Sequence, residues 1–182
     1  MDTWLVLLRG INVGGKRIIP MADLRDAFAE MGFVDPVTYI QSGNVVMGSR
    51  RTRSARSATA IERALVDAFG YDARVVVRDT AEMAKIVRGI PKDWDPADGA
   101  KRHNVIFLTD GVSAKGLIDP TTIKPGIETL TVGDGVLYWS APMRTLTRTT
   151  MVKLSAHASY REMTVRNLRT TLRLNEMMRE RA

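Results

Sequence analysis

At 182 residues the chain is long enough for one large domain or two small subdomains, and a chain of this size buries roughly 70% of its unfolded surface without cross-links. The lack of cysteine excludes disulfides, thiolate metal sites and thiol nucleophiles. The two histidines, His103 and His157, offer too little imidazole for a zinc or iron centre, so neither metal nor cofactor is expected. A net charge of +7, from 27 Lys and Arg against 20 Asp and Glu, favours phosphate-bearing partners, although many basic proteins bind no anion.

Residues 3–8 are a short, nearly unbroken apolar run that predicts a buried strand. The start, Met1-Asp2-Thr3, is acidic and the run is too short for a signal peptide; no stretch reaches the about 20 apolar residues of a membrane helix. The expectation is therefore a cytoplasmic protein with no membrane contact. A glycine-rich loop follows at residues 10–16. Pro20 suits the first turn of a helix, Leu24, Ala27, Phe28 and Met31 repeat on one helical face, and Gly32 is a stop. Residues 36–41 and 44–48 read as strands joined by a tight turn at Ser42-Gly43. The polar stretch 49–55 reads as a basic loop, with Arg50, Arg51, Arg53 and Arg56 clustered there. Ile61, Ala64, Leu65 and Ala68 line a second helix, and Val75-Val76-Val77 marks a strand within 73–78. The order β-α-β-β-α-β over residues 3–78 is that of a ferredoxin-like unit.

Residues 79–90 predict a connecting helix through Met83, Ile86 and Val87, and the proline-containing, charged stretch 91–102 reads as a linker. The pattern then partly repeats. Residues 105–108 predict a strand and 111–118 a short helix. Strands at 127–132 and 136–141 are joined by Asp134-Gly135, a type I′ hairpin signal. Helices are expected at 145–158 and 164–180, with no clear final strand. The expected fold class is α+β: a ferredoxin-like subdomain over 1–78, a connecting helix and linker over 79–102, a second, imperfect subdomain over 103–160 and a C-terminal helix over 161–182.

Three stretches carry candidate chemistry. Residues 10–16 match G-x-x-x-x-G-K after a strand, but Arg17 stands where a nucleotide triphosphatase needs Ser or Thr, and Pro20 puts the helix start too late. What survives is a loop whose backbone N–H groups can converge on an anion beside Lys16; the glycines equally serve to turn the chain. Residues 39–44 concentrate amides and hydroxyls at a hairpin tip, with Gln41 able both to donate and to accept. Residues 164–173 read as a helix with Thr164 as N-cap and Arg166 and Asn167 in its first turn, or as a solvated basic face. His103 and His157 have no diagnostic partners and read as structural. The methionines read as packing, and no aromatic RNA-stacking consensus is present.

The run Leu7-Leu8-Arg9-Gly10-Ile11-Asn12-Val13-Gly14-Gly15-Lys16, with Met21, Leu24-Arg25 and Thr38-Tyr39-Ile40-Gln41-Ser42-Gly43-Asn44-Val45-Val46, closely resembles the bacterial domain-of-unknown-function family 1697. Thr164, Arg166, Asn167 and Thr170 match its C-terminal Thr-x-Arg-Asn-Trp-Asn-Thr signature, from which Leu168 and Arg169 depart. The resemblance implies an α+β fold with ferredoxin-like subdomains, and no particular reaction. It implies that Arg9, Asn12, Gly14, Gly15, Lys16, Gln41, Asn44, Arg166 and Asn167 form one functional surface. With Ser42 and Thr170, these are the candidate ligand-binding residues. The expected ligand is a small phosphorylated molecule or nucleotide. The alternative is a nucleic-acid-binding module that contacts phosphates through residues 50–56 and the basic C-terminal segments. A general base, were there a reaction, would be sought at Asp23 or Glu162.

Overall fold

The computed structural model describes the chain except residues 13–17, 51–56, 71, 73, 118–121, 155–157 and 182, and describes the backbone only at 115, 116, 153, 154 and 158. Two compact units result: Met1–Ala84 with Arg173–Ala182, and Lys85–Leu172.

Unit 1 runs β1 (Asp2–Leu8), α1 (Met21–Glu30), β2 (Val34–Thr38), β3 (Asn44–Ser49), α2 (Ala58–Phe69) and β4 (Val75–Asp79). Its antiparallel sheet has the order β2-β3-β1-β4, so the first and last strands are neighbours, as the ferredoxin-like order requires. The apolar run of β1 follows from its central place. Trp4, Val6 and Leu8 pack on one face with Leu24 and Phe28 of α1 and Ile61 and Leu65 of α2. Leu5 and Leu7 point the other way and are also fully buried. On that second face the chain end returns, and the Thr3 hydroxyl donates to the Arg181 carbonyl at 3.3 Å. Helix α2 is fixed at both ends. The Ser57 hydroxyl accepts from the Ala60 N–H, and Gly70, at φ 61°, closes the last turn.

Two readings of this half need correction. Strand β2 occupies Val34–Thr38 rather than 36–41, and the two-residue turn is instead a connection of residues 39–43. The cause is local: Ile40 (φ 49°) and Gly43 (φ 70°) leave the extended region, while the Tyr39 N–H donates to the Asn44 carbonyl at 3.0 Å. Of the basic cluster, Arg50 is exposed, and Arg51, Arg53 and Arg56 lie outside the described residues.

Helix α3 (Thr80–Arg88) leads into unit 2, which comprises β5 (Lys101–Leu108), α4 (Ala114–Leu117), β6 (Thr129–Val132), β7 (Val136–Pro142), α5 (Met151–Leu154), β8 (Met163–Asn167) and the start of α6 (Leu168–Arg179). Its antiparallel sheet has the equivalent order, β6-β7-β5-β8. Ile106, Leu108, Leu137, Trp139 and Met163 pack together on one face.

Unit 2 departs further from the sequence reading. Strand β5 begins at Lys101, inside the expected linker. The expected helix over 145–158 is instead a 3-10 helix at Met143–Arg148 followed by the four-residue α5. Threonine chemistry explains the interruption. Thr145 Oγ1 shares its single proton between the carbonyls of Pro142 (3.0 Å) and Ile127 (3.2 Å), and Thr149 Oγ1 donates to that of Leu146 (2.7 Å). The helix expected from Thr164 begins only at Leu168, because residues 163–167 pair with β5 as the final strand β8. Between β6 and β7, the positive φ falls on Gly135 (67°) and not on Asp134, so the turn is not the type I′ form expected.

Candidate functional site

In unit 1, β1 delivers the chain into residues 9–19, and one side chain closes that loop. Asn12, at φ 54°, accepts the Ile19 N–H on Oδ1 at 2.8 Å; its Nδ2 donates to the carbonyls of Ile19 (3.0 Å) and Gln41 (3.1 Å). The loop base and the β2–β3 connection are thereby tied to a single amide. Asn44 is fully buried and holds the connection from within, its Nδ2 donating to the Tyr39 carbonyl (2.9 Å) and to Ser42 Oγ (3.0 Å). The tip is docked as well: the Leu8 N–H donates to the Gly43 carbonyl at 2.7 Å. A Cβ on Gly43 would fall 2.8 Å from Leu8 Cβ and 2.9 Å from Ile11 Cδ1, so only glycine fits there.

Of the sequence-derived candidates, Arg9, Asn12, Gln41, Ser42 and Asn44 meet at this end of unit 1. Asn12 and Asn44 are anchors whose amides are engaged by the chain. The Gln41 side chain is exposed and Arg9 is half-buried. Gly14, Gly15 and Lys16, and with them the comparison to a phosphate-binding loop, lie outside the described residues.

Arg166, Asn167 and Thr170 belong to unit 2. Arg166 is a buried residue of β8, its Nη1 donating to Thr164 Oγ1 (2.8 Å) and to the Val165 carbonyl (2.9 Å). Burial pushes its guanidinium down to about 10. Asn167 is the cap of α6, since its Oδ1 accepts the Thr170 N–H at 2.8 Å. Thr170 itself is buried. Neither candidate base stands apart as one: Glu162 accepts from Thr109 Oγ1 at 2.7 Å and pairs with Arg161, and Asp23 sits in the first turn of α1.

Sequence reasoning missed two features of unit 2. The first is Glu128, a buried carboxylate that accepts from Trp139 Nε1 (2.7 Å) and from the Thr150 N–H (2.8 Å). Burial alone would raise its pKa. The hydrogen bonds from Thr150, Trp139 and Lys124 outweigh it and hold the carboxyl below its ordinary value. The second is a cleft of about 340 Å³ where β5 begins and α6 starts, lined by Lys101, Arg102, His103, Asn167 and Arg169 among others. The two adjacent cations at 101–102 were its one sequence signal. They were hidden because the strand was expected to start later.

Among the described residues, no three His, Asp or Glu side chains gather as a metal site, and no helix is long and apolar enough to cross a membrane. No curated protein matches the chain. Among solved structures it is similar to a conserved bacterial protein from Streptococcus pneumoniae, at 23% identity over 97% of this chain and 98% of that one, with a TM-score of 0.84. At that identity the likeness speaks for a shared fold. The model of a family described as protein of unknown function, DUF1697, matches residues 1–138, a span that ends before the 164–170 signature. The match takes in β1 through Tyr138 of β7, including the loop that Asn12 closes, and the chain therefore belongs to the DUF1697 family.

Proposed function

We propose that the protein binds a small phosphate-bearing ligand at the glycine-rich loop of unit 1. The observation that supports this reading is the double role of Asn12, which ties the base of the loop at Ile19 to the connection at Gln41. The three hydrogen bonds of Asn12 hold the base of the loop at Ile19 and Gln41, so that base needs no further ordering when a ligand arrives. Backbone N–H groups of Gly14 and Gly15 would coordinate phosphate oxygens, Lys16 and Arg9 would neutralise charge, and Gln41 would read the rest of the molecule. Asn12 and Asn44 would position these groups without touching the ligand. A phosphorylated metabolite or nucleotide is the ligand class, and the cytoplasm is the compartment that supplies it. No reaction is proposed.

Calorimetric titration with nucleoside monophosphates, sugar phosphates and inorganic phosphate tests the reading. Saturable binding that Lys16→Ala and Gln41→Ala weaken would support it. Failure of every ligand to bind would remove it. Replacing Arg50, Arg51, Arg53 and Arg56 by Ala separates the alternative, a nucleic-acid-binding module suggested by the +7 charge. For that module these four changes dominate, and affinity for duplex DNA falls with salt at a log–log slope of about −0.9 per phosphate contacted.

A further inference from the structure

We propose that unit 2 carries a binding site of its own for a small oxyanion, a phosphate or carboxylate group, in the cleft between the start of β5 and the first turn of α6. Two independent observations meet there. The first is the N-terminus of α6, a helix of 12 residues whose opening N–H groups have no intrahelical acceptor. Asn167 takes only that of Thr170, which leaves the earlier ones facing the cleft end of the helix. The second is His103. It lines the same cleft, is 6% exposed, and neither Nδ1 nor Nε2 has a hydrogen-bond partner.

An imidazole buried in this way is uncommon, because each unmatched polar atom forfeits its hydration. Its position is fixed nonetheless. The ring stacks on Trp94 at 4.6 Å between centroids, with 26° between planes, and Trp94 in turn meets Tyr138 edge-on at 6.2 Å. Tyr138 is pinned by its hydroxyl, which donates to the Ile86 carbonyl at 2.6 Å. Burial is the main influence on the ring and lowers its pKa, opposed by Asp98, Asp93 and Asp95 and assisted by Lys101. The neutral ring offers one N–H donor and one acceptor.

The charged groups around the cleft favour an anion. Lys101, Arg102 and Arg169 supply three cations, and Asp95 and Asp98 two carboxylates. One oxygen of each carboxylate accepts a backbone N–H, Asp95 Oδ1 that of Ala97 and Asp98 Oδ1 that of Ala100, both at 2.7 Å, and the cations still outnumber them three to two along the lining. Arg169 is held over the site through Nε, which donates to the Pro96 carbonyl at 2.6 Å, and its terminal nitrogens remain for a planar oxyanion. The volume suits a group no larger than a small metabolite.

With only two histidines in the chain, the ring protons of His103 report on the site directly by NMR, and the reading does not depend on the loop of unit 1. Inorganic phosphate and succinate serve as the two probes. The expected result is a saturable shift of the His103 signal with at least one probe, accompanied by a rise in its pKa as the anion gathers against the ring; whichever probe saturates at lower concentration names the source of the oxyanion. Arg169→Gln should weaken that binding by about tenfold, the loss of one charge-assisted contact. His103→Phe, which keeps a ring against Trp94, should abolish calorimetric binding at this site. If His103 in the wild-type protein does not move with either probe, the inference falls. It falls equally if Arg169→Gln leaves the midpoint of the titration unchanged.

Discussion

The two units share a strand order and differ in how the faces of the sheet are covered. In unit 1 the crossovers are α1 and α2, of 10 and 12 residues, whose apolar faces lie on the sheet. In unit 2 the described residues of the corresponding crossovers form α4, 3-10 helices at Met143–Arg148 and Ala158–Glu162, and α5. Polar side chains hold that irregular backbone: Glu128 gathers Trp139 and Thr150, and the hydroxyls of Thr145 and Thr149 bond back to the chain. One topology is thus secured in unit 1 largely by apolar burial along regular helices, while in unit 2 an apolar sheet face is joined, among the described residues, by polar hubs such as Glu128.

Substitutions can break that comparison. The largest effect is expected at Phe28, fully buried between α1 and the sheet, where Phe28→Ala should cost about 3–5 kcal/mol in urea denaturation. Hydrogen exchange should then accelerate most in the strands of unit 1, and equal acceleration in β5–β8 would show that the units are not separate cooperative regions.

Next comes Glu128→Ala, which leaves the buried Trp139 Nε1 and the part-buried Thr150 N–H without their acceptor and should cost about 2–3 kcal/mol. Glu128→Gln, which keeps one acceptor oxygen, should cost less. The same residue sets an acid dependence. Its folded pKa lies below the ordinary 4.5, so its stabilisation is complete above that value and disappears as pH falls through the folded pKa. Denaturation midpoints at pH 7 and pH 3 should converge between the wild type and Glu128→Gln. An unchanged gap would show that the carboxylate charge is not what holds the hub.

A smaller effect is expected at the β2–β3 connection. Gly43→Ala combines a φ of 70° with a 2.8 Å approach to Leu8 Cβ and should cost about 1–2 kcal/mol by strain. It should also weaken any ligand bound at the loop of unit 1. Smallest is Ser57→Ala, which removes the cap of α2 for about 1 kcal/mol, measured by thermal unfolding. A loss as large as that of Glu128→Ala would mean that α2 depends on its cap as much as on its apolar face.

Local pattern by itself determined most of unit 1, apart from the bounds of β2 and the 39–43 connection. The nearly unbroken apolar run of β1, the 3.6-residue repeats of Leu24, Ala27 and Phe28 and of Ile61 and Leu65, and the β-branched run of β4 state their elements locally. The amides of the hairpin tip marked Gln41 and Asn44, and the family resemblance marked Asn12. Tertiary structure decided what those residues do: Asn12 and Asn44 became anchors because the acceptors they meet, at Gln41 and Tyr39, come from the neighbouring connection. In unit 2 the sequence marked the end of β5, α4 and the β6–β7 pair, and tertiary structure decided where β5 begins, the segment Met143–Leu154 and the final strand. Residues 163–167 lie within a stretch whose Val165, Leu168 and Leu172 spacing suits a helix, and became a strand because the edge of β5 offered unpaired backbone groups there. Glu128 and His103 carry no local signal at all, because a carboxylate or an imidazole gains its meaning from the atoms that surround it once water has been excluded.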